Sequence, residues 1–358
     1  MITPASLRNL LPDEFRVSDS GTNRVTCLVV GAGLAGLVAA RELRRRGVGV
    51  VVFDKGRGAG GRLATRRIGD AVFDHGAQFF TVREAEFGRH VDEWLRAGVV
   101  REWCRGFAHG DGALRADAHP RYCGTSGMAG IAKSLAADLD VRTGVRVESL
   151  VAHEGGWGVT TDAGVNWRAA SLLLTPPVPQ SLALIESGGF TLDAETKAHL
   201  ARIAYDPCIA VMVIFAGMVT LPAPGAVQIE GGEPVYWIAD NNCKGVSPRS
   251  SAFTIHAGAD FSRAHWEADD ELIVATLTRH AEKFLRDTNG QPLENAQVET
   301  QQVKRWRYSK PTVTYTERCL AVQTPPLVFA GDAFGGARVE GAALSGLAAA
   351  EQLATLLL

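Results

Sequence analysis

Residues 25–62 read VTCLVVGAGLAGLVAARELRRRGVGVVVFDKGRGAGGR, and the transitions within them decide the fold. Val25–Val30 is a short, nearly all-apolar run, the composition of a strand buried on both faces of a parallel sheet. Gly31, Gly33 and Gly36 follow at once in G-x-G-x-x-G spacing. LVAARELRRRG then predicts a helix, with Arg44, Arg45 and Arg46 near its negative end and Gly47 at its stop. VGVVVFD predicts a second strand that ends on Asp54.

Each position has a physical reason. Gly31 permits the tight turn, Gly33 lets a pyrophosphate approach the backbone, and Gly36 lets the helix pack close to the strand. The helix start supplies N–H donors and a partial positive charge. Asp54, 23 residues after Gly31, is spaced to accept hydrogen bonds from ribose hydroxyls and to repel a 2′-phosphate. The strand, turn, helix, second strand and acid together predict a dinucleotide site.

The next residues, KGRGAGGR, add Gly56, Gly58, Gly60 and Gly61 to Lys55, Arg57 and Arg62. This loop predicts a second backbone approach to the same pyrophosphate, with Arg62 neutralising it; the plainer reading is a solvated basic loop. A third element lies far along the chain. LVFAGD (327–332) predicts a strand closed by Gly-Asp, and AFGGARVEGAALSGLAAAEQL opens a helix near Val339. Ligands of doubly wound sheets sit at the carboxyl ends of strands, so Asp332 is placed for a polyol hydroxyl. The helix start, with Val339 and Gly341, is placed for a flavin ring, where its dipole favours a reduced anion, or is an ordinary final βα unit. Glu340 caps its N–H groups or touches the flavin region. Three elements so far apart predict one long cofactor, FAD.

The wider composition sets bounds. With 358 residues, 46% hydrophobic and 21% charged, the chain can build a large core. A net charge of −2 gives no general drive toward nucleic acid or anionic membrane. Six scattered cysteines form no C-x-x-C pair and no zinc spacing, so no metal site is expected, and a reducing cytoplasm suits them. Residues 1–24 lack the pattern of a signal peptide and are read as an N-terminal extension. The apolar tail carries Glu351 and Gln352, which favours a packed terminal helix over a membrane anchor.

The segments at 29–67, FDHGAQFFTVR (73–83), RYCGTSGM (121–128) and GDAFGGARVEGAALSG (331–346) resemble the renalase-like FAD-dependent oxidoreductases of the flavin amine oxidase superfamily. The resemblance implies an α/β fold. A discontinuous Rossmann-type FAD-binding domain would cover 25–80, 130–178 and 325–358, and an inserted α+β substrate domain 81–129 and 179–324. It makes Val147, in TGVRVESL, an adenine contact and LLLTPP (172–177) a strand at the edge of the cofactor domain, and for Glu340 it favours proximity to the flavin over capping. It implies oxidation of a small reduced substrate, a dihydronicotinamide isomer of NAD(P)H, with O2 reduced to hydrogen peroxide. An amine oxidase or desaturase is the first alternative and a non-catalytic flavin-binding protein the second. Where such chains often carry Gly-Asp-Trp, this one has Gly331, Asp332, Ala333 and Phe334, which makes Phe334 a substrate candidate. Many amine oxidases use a lysine held through water to the flavin; Lys244, Lys304 and Lys310 are the late lysines, and none falls in a matching segment.

Further candidates come from residue type. His75 and Gln78 suit contact with the flavin edge or substrate, or a satisfied polar pair at a domain junction. Trp237 and Trp306 are aromatics able to wall a planar ligand, or plain core. Tyr122 either faces substrate or closes a strand, and His256 reads as a core or sheet-edge residue. Hydride transfer to a flavin needs no protein acid or base at the reacting carbon, so no catalytic residue is assigned.

Overall fold

The computed structural model describes residues 23–357. The expected N-terminal extension lies outside these residues except for Asn23 and Arg24, which open the first strand, Asn23–Val30. The described chain divides into two compact units. One takes the chain up to Gly61, Ala132–Ala204 and the chain from Pro311 onward; the other takes Arg62–Ile131 and Tyr205–Lys310.

The first unit is a doubly wound sheet. Asn23–Val30 runs parallel to Val50–Asp54 on one side and to Asn166–Leu174 on the other. Asp140–Thr143 extends the sheet beyond Val50–Asp54, and Leu327–Phe329 beyond Asn166–Leu174, both in parallel. The LLLTPP segment therefore closes a central strand, not an edge one. Leu172, Leu173 and Leu174 each pair with a neighbour on both sides, and all three are buried. That double burial is why the segment is uniformly apolar.

Helix Leu34–Arg45 buries eight of its residues and ends on Arg44 and Arg45, which favour its negative end. The last helix, Val339–Leu356, packs against it: a Cβ on Gly346 would meet the Ala35 carbonyl oxygen at 2.4 Å. The apolar tail is thus a packed helix. No helix among the described residues is long and apolar enough to cross a membrane.

The second unit is built on a seven-stranded, largely antiparallel sheet. Its strands, in spatial order, are Val298–Val313, Ala204–Phe215, Ala252–Ala257, Val235–Asp240, Ala226–Gln228, Val100–His109 and Leu114–Gly124. Helix Asp270–Ala281 adds Ile273, Val274, Leu277 and Ala281 to a core that includes Val211, Val213, Ile238 and Ile255. A separate hairpin pairs Thr65–Ile68 with Ala71–Asp74, and FDHGAQFF begins on its second strand.

Candidate functional site

In the first unit, parallel register puts the carboxyl ends of four strands along one sheet edge. Gly31, Asp54, Thr175 and Gly331 stand at or just past those ends. Gly31 has φ of +105°, and a Cβ there would meet Thr175 Oγ1 at 2.4 Å. A Cβ on Gly36 would meet the Gly31 carbonyl oxygen at 2.1 Å, so the helix comes as close to the turn as only glycine allows. Gly33 differs: nothing lies within 4 Å of the place its Cβ would take. Two of the three glycines are fixed by packing, and the third faces open space. Thr175 donates its hydroxyl to the carbonyls of Val30 and Gly31 at 2.9 and 3.1 Å. Sequence reasoning passed over Thr175; its one signal is a hydroxyl closing an apolar strand ahead of two prolines.

The second glycine loop lies directly on the first turn. Gly60 N–H donates to the Ala32 carbonyl at 2.8 Å, and Gly33 and Gly60 form a parallel bridge. A Cβ on Gly61 would lie 3.3 Å from the Gly33 Cα. Asp54 joins the two: its carboxylate accepts from Ala32 N–H at 2.7 Å and from Gly56 N–H at 2.6 Å. Each oxygen keeps a further lone-pair direction for a hydroxyl donor. Val145 N–H donates to the Asp54 carbonyl at 3.0 Å, which brings the strand that starts at buried Val147 beside the same corner. Lys55 Nζ donates to Gln180 Oε1 at 2.9 Å.

The Gly-Asp turn is tied to the last helix by a hydrogen bond from Gly331 N–H to Ser345 Oγ at 2.8 Å. Asp332 follows, partly exposed. A Cβ on Gly341 would meet the Gly336 carbonyl oxygen at 2.1 Å, so the helix start folds tightly on its own leader. Glu340 is buried in the first turn. Phe334 is buried inside this unit, edge-on to Tyr315 at 6.0 Å, as a core ring. Open space at Gly33, a carboxylate at a strand end and a long helix starting after Gly-Asp are what an extended dinucleotide cofactor requires.

In the second unit Asp74 organises the segment that carries His75 and Gln78. Its buried carboxylate accepts from Lys244 Nζ at 2.7 Å, Thr65 Oγ1 at 2.6 Å and Met128 N–H at 2.8 Å. Its N–H donates to Asn241 Oδ1 at 3.1 Å, and its carbonyl accepts from Gln78 Nε2 at 2.6 Å and Thr254 Oγ1 at 2.9 Å. Lys244 is fully buried against this carboxylate, 5.1 Å from the centre of the Trp103 ring.

His75 stacks on Trp306 with ring centres 5.3 Å apart, and Trp306 Nε1 donates to the His75 carbonyl at 2.9 Å. Cross-strand register sets Trp237 opposite His256. Trp237 is buried in an aromatic group, 4.8 Å from Phe107 and 5.6 Å from Phe79. Six buried side-chain polar atoms of this unit have no hydrogen-bond partner among the described residues: Trp94 Nε1, Arg121 Nε and, on or paired with the segments named above, His75 Nδ1, Gln78 Oε1, Trp237 Nε1 and His256 Nε2. Burial, reinforced by the charges of Arg66, His256 and Lys304, pushes the His75 pKa down to about 3. Burial also lowers His256 to about 4, against a hydrogen bond with the His75 backbone that favours its charged form. Both imidazoles are therefore neutral near pH 7, each with one donor and one acceptor nitrogen.

Other candidates have structural places. Tyr122, within strand Leu114–Gly124, stacks on Phe80 at 5.6 Å, and the two exchange backbone hydrogen bonds. Arg62 donates to the Ser309 carbonyl at 3.3 Å. Lys304 lies over the Trp306 ring, and Lys310 is exposed.

Over residues 83–354 the chain matches the family described as flavin containing amine oxidoreductase, and over residues 29–95 the NAD(P)-binding Rossmann-like domain. It is 40% identical over 65 residues to protoporphyrinogen oxidase 2, chloroplastic/mitochondrial, of Arabidopsis thaliana, which covers 18% of this chain and 13% of that protein. It is 42% identical over 55 residues to a 1-hydroxycarotenoid 3,4-desaturase of Flavobacterium sp., covering 15% of this chain and 11% of that one. These matches span a small part of each curated relative. A solved triple mutant of putrescine oxidase, redesigned in cofactor binding, superposes with a TM-score of 0.68 at 15% identity, over 93% of this chain and 100% of that one. At that identity the likeness is one of fold.

Proposed function

The chain belongs to the flavin-containing amine oxidoreductase family; we propose that it is an FAD-dependent oxidoreductase whose reductant is a small dihydronicotinamide, an isomer of NAD(P)H, and whose electron acceptor is dioxygen. When bound, FAD would supply a two-electron acceptor for the substrate's hydride and a route for those electrons to dioxygen, which with a solvent proton gives hydrogen peroxide. The chain's own part is binding and orientation. Gly31, Gly33, Gly60 and Gly61 offer backbone to the pyrophosphate, with Lys55 and Arg62 as its cations. Asp54 takes the ribose, Val147 the adenine and Asp332 a ribityl hydroxyl. The start of helix Val339–Leu356, with Glu340 and Gly341, serves the flavin end.

One observation carries the choice of substrate: the buried, partnerless polar atoms of His75, Gln78, Trp237 and His256 belong to uncharged groups. A neutral imidazole, an amide oxygen and an indole N–H suit the carboxamide of a nicotinamide, and the rings of Trp306 and Trp237 suit a planar heterocycle. An ammonium substrate would instead call for an anion. The carboxylate adjoining His75, that of Asp74, is occupied by Lys244. Amine oxidation or desaturation is the second reading. It is favoured by the family itself and by the desaturase relative.

Aerobic turnover separates the two. With dihydro isomers of NAD(P)H, one hydrogen peroxide is expected for each oxidised dinucleotide formed. Peroxide from amines and none from any dihydronicotinamide would select the second reading.

A further inference from the structure

Strand Val298–Val313 lies at the edge of the second unit's sheet, and its even-numbered residues share a face. Gln302, Lys304 and Trp306 follow one another on that face. Lys304 Nζ sits 5.3 Å from the centre of the Trp306 ring, which is the ring stacked on His75. Gln302 Oε1 accepts from the Arg66 guanidinium at 2.9 Å. Two cations from separate elements, a hairpin and an edge strand, are thus brought beside one aromatic–histidine stack. An uncharged amide holds Arg66 and a ring face holds Lys304, so neither contact neutralises its charge. Both charges reach His75, after burial itself, in holding its imidazole neutral. His75 is 4% exposed, and its Nδ1 has no partner among the described residues.

We propose that Arg66 and Lys304 form an anion subsite beside the His75–Trp306 stack, and that it takes a phosphate group of the substrate. The inference rests on the dihydronicotinamide reading and adds a handle to it. The guanidinium fork matches two phosphate oxygens, and the lysine adds a point charge. The Trp306 ring, next along the face after Lys304, offers a surface on which a nicotinamide base linked to that phosphate would stack. Recognition then centres on the nucleotide half that carries the reacting ring, and a mononucleotide suffices. The same two charges repel an ammonium substrate.

The test uses the FAD-loaded protein and its Arg66→Gln/Lys304→Gln double variant. Calorimetric titration with inorganic pyrophosphate at low salt is expected to show saturable binding to the wild type, weakened about tenfold or more in the double variant. Anaerobic flavin reduction is then compared across the dihydronicotinamide riboside, mononucleotide and dinucleotide. In the wild type the two phosphorylated forms are expected to half-saturate at about tenfold lower concentration than the riboside, and in the double variant that gap closes. A pyrophosphate affinity absent from the wild type, or equal in both proteins, overturns the subsite. So does a riboside-to-mononucleotide ratio untouched by the double substitution. If pyrophosphate binding is lost in the variant but no dihydronicotinamide reduces the flavin, the subsite stands and the substrate reading falls.

Discussion

Lys244 and Asp74 are 0% exposed and 2.7 Å apart, 170 positions from each other in sequence. Removing one partner leaves the other charge buried without compensation. Lys244→Met is expected to cost about 3–5 kcal/mol of stability, measured by urea denaturation, and adding Asp74→Asn should restore part of it. A cost below about 1 kcal/mol would show that the pair is solvated and that the His75 segment is held by other means. Asp54 is a second residue-scale case. Its carboxylate satisfies the N–H groups of Ala32 and Gly56, one from each glycine loop. Asp54→Ala should weaken FAD retention by about 1–3 kcal/mol, read as cofactor release in mild denaturant. Asp54 was legible because the spacing from Gly31 is local to one βαβ unit. The Asp74–Lys244 pair was not, since nothing near either residue marks its partner.

At the scale of elements, the glycines divide by what surrounds them. Gly346 lies against the Ala35 carbonyl, where an added Cβ would come to 2.4 Å. Gly346→Ala should force helices Leu34–Arg45 and Val339–Leu356 apart and lower stability by about 1–3 kcal/mol. Gly33 has extended backbone at φ −76° and empty space ahead of it. Gly33→Ala should therefore leave the melting temperature of the cofactor-free protein unchanged and weaken FAD binding. Equal destabilisation by the two substitutions would contradict this division. Strand and helix positions followed from periodicity and glycine placement, because those signals are local. The order of strands did not. The resemblance puts the LLLTPP segment at the edge of the cofactor domain; that Leu172–Leu174 sits instead between Asn23–Val30 and Leu327–Phe329 depends on the pairing of distant segments. The aromatic group around Trp237 likewise joins strands and a loop that no sequence window contains.

For the whole molecule, the two neutral histidines set a pH dependence. Unfolded, each imidazole titrates at an ordinary value near 6.5; folded, His75 does so at about 3 and His256 at about 4. Between these limits the unfolded chain binds more protons, so stability rises with pH there. The contribution is complete above about pH 6.5 and is lost as pH falls toward the folded values. Urea unfolding from about pH 7 to about pH 4 should show this loss, and His75→Gln should flatten it. An unchanged slope in that variant would mean that His75 protonates freely in the folded protein.

The flavin's visible absorbance gives the most direct reading of the substrate. The FAD-loaded protein is mixed without oxygen with a dihydro isomer of NAD(P)H and, separately, with a diamine. Rapid bleaching by the isomer, with none by the diamine, is the expected result. Bleaching by the diamine alone would contradict the dihydronicotinamide assignment and return the chain to amine oxidation within the same family.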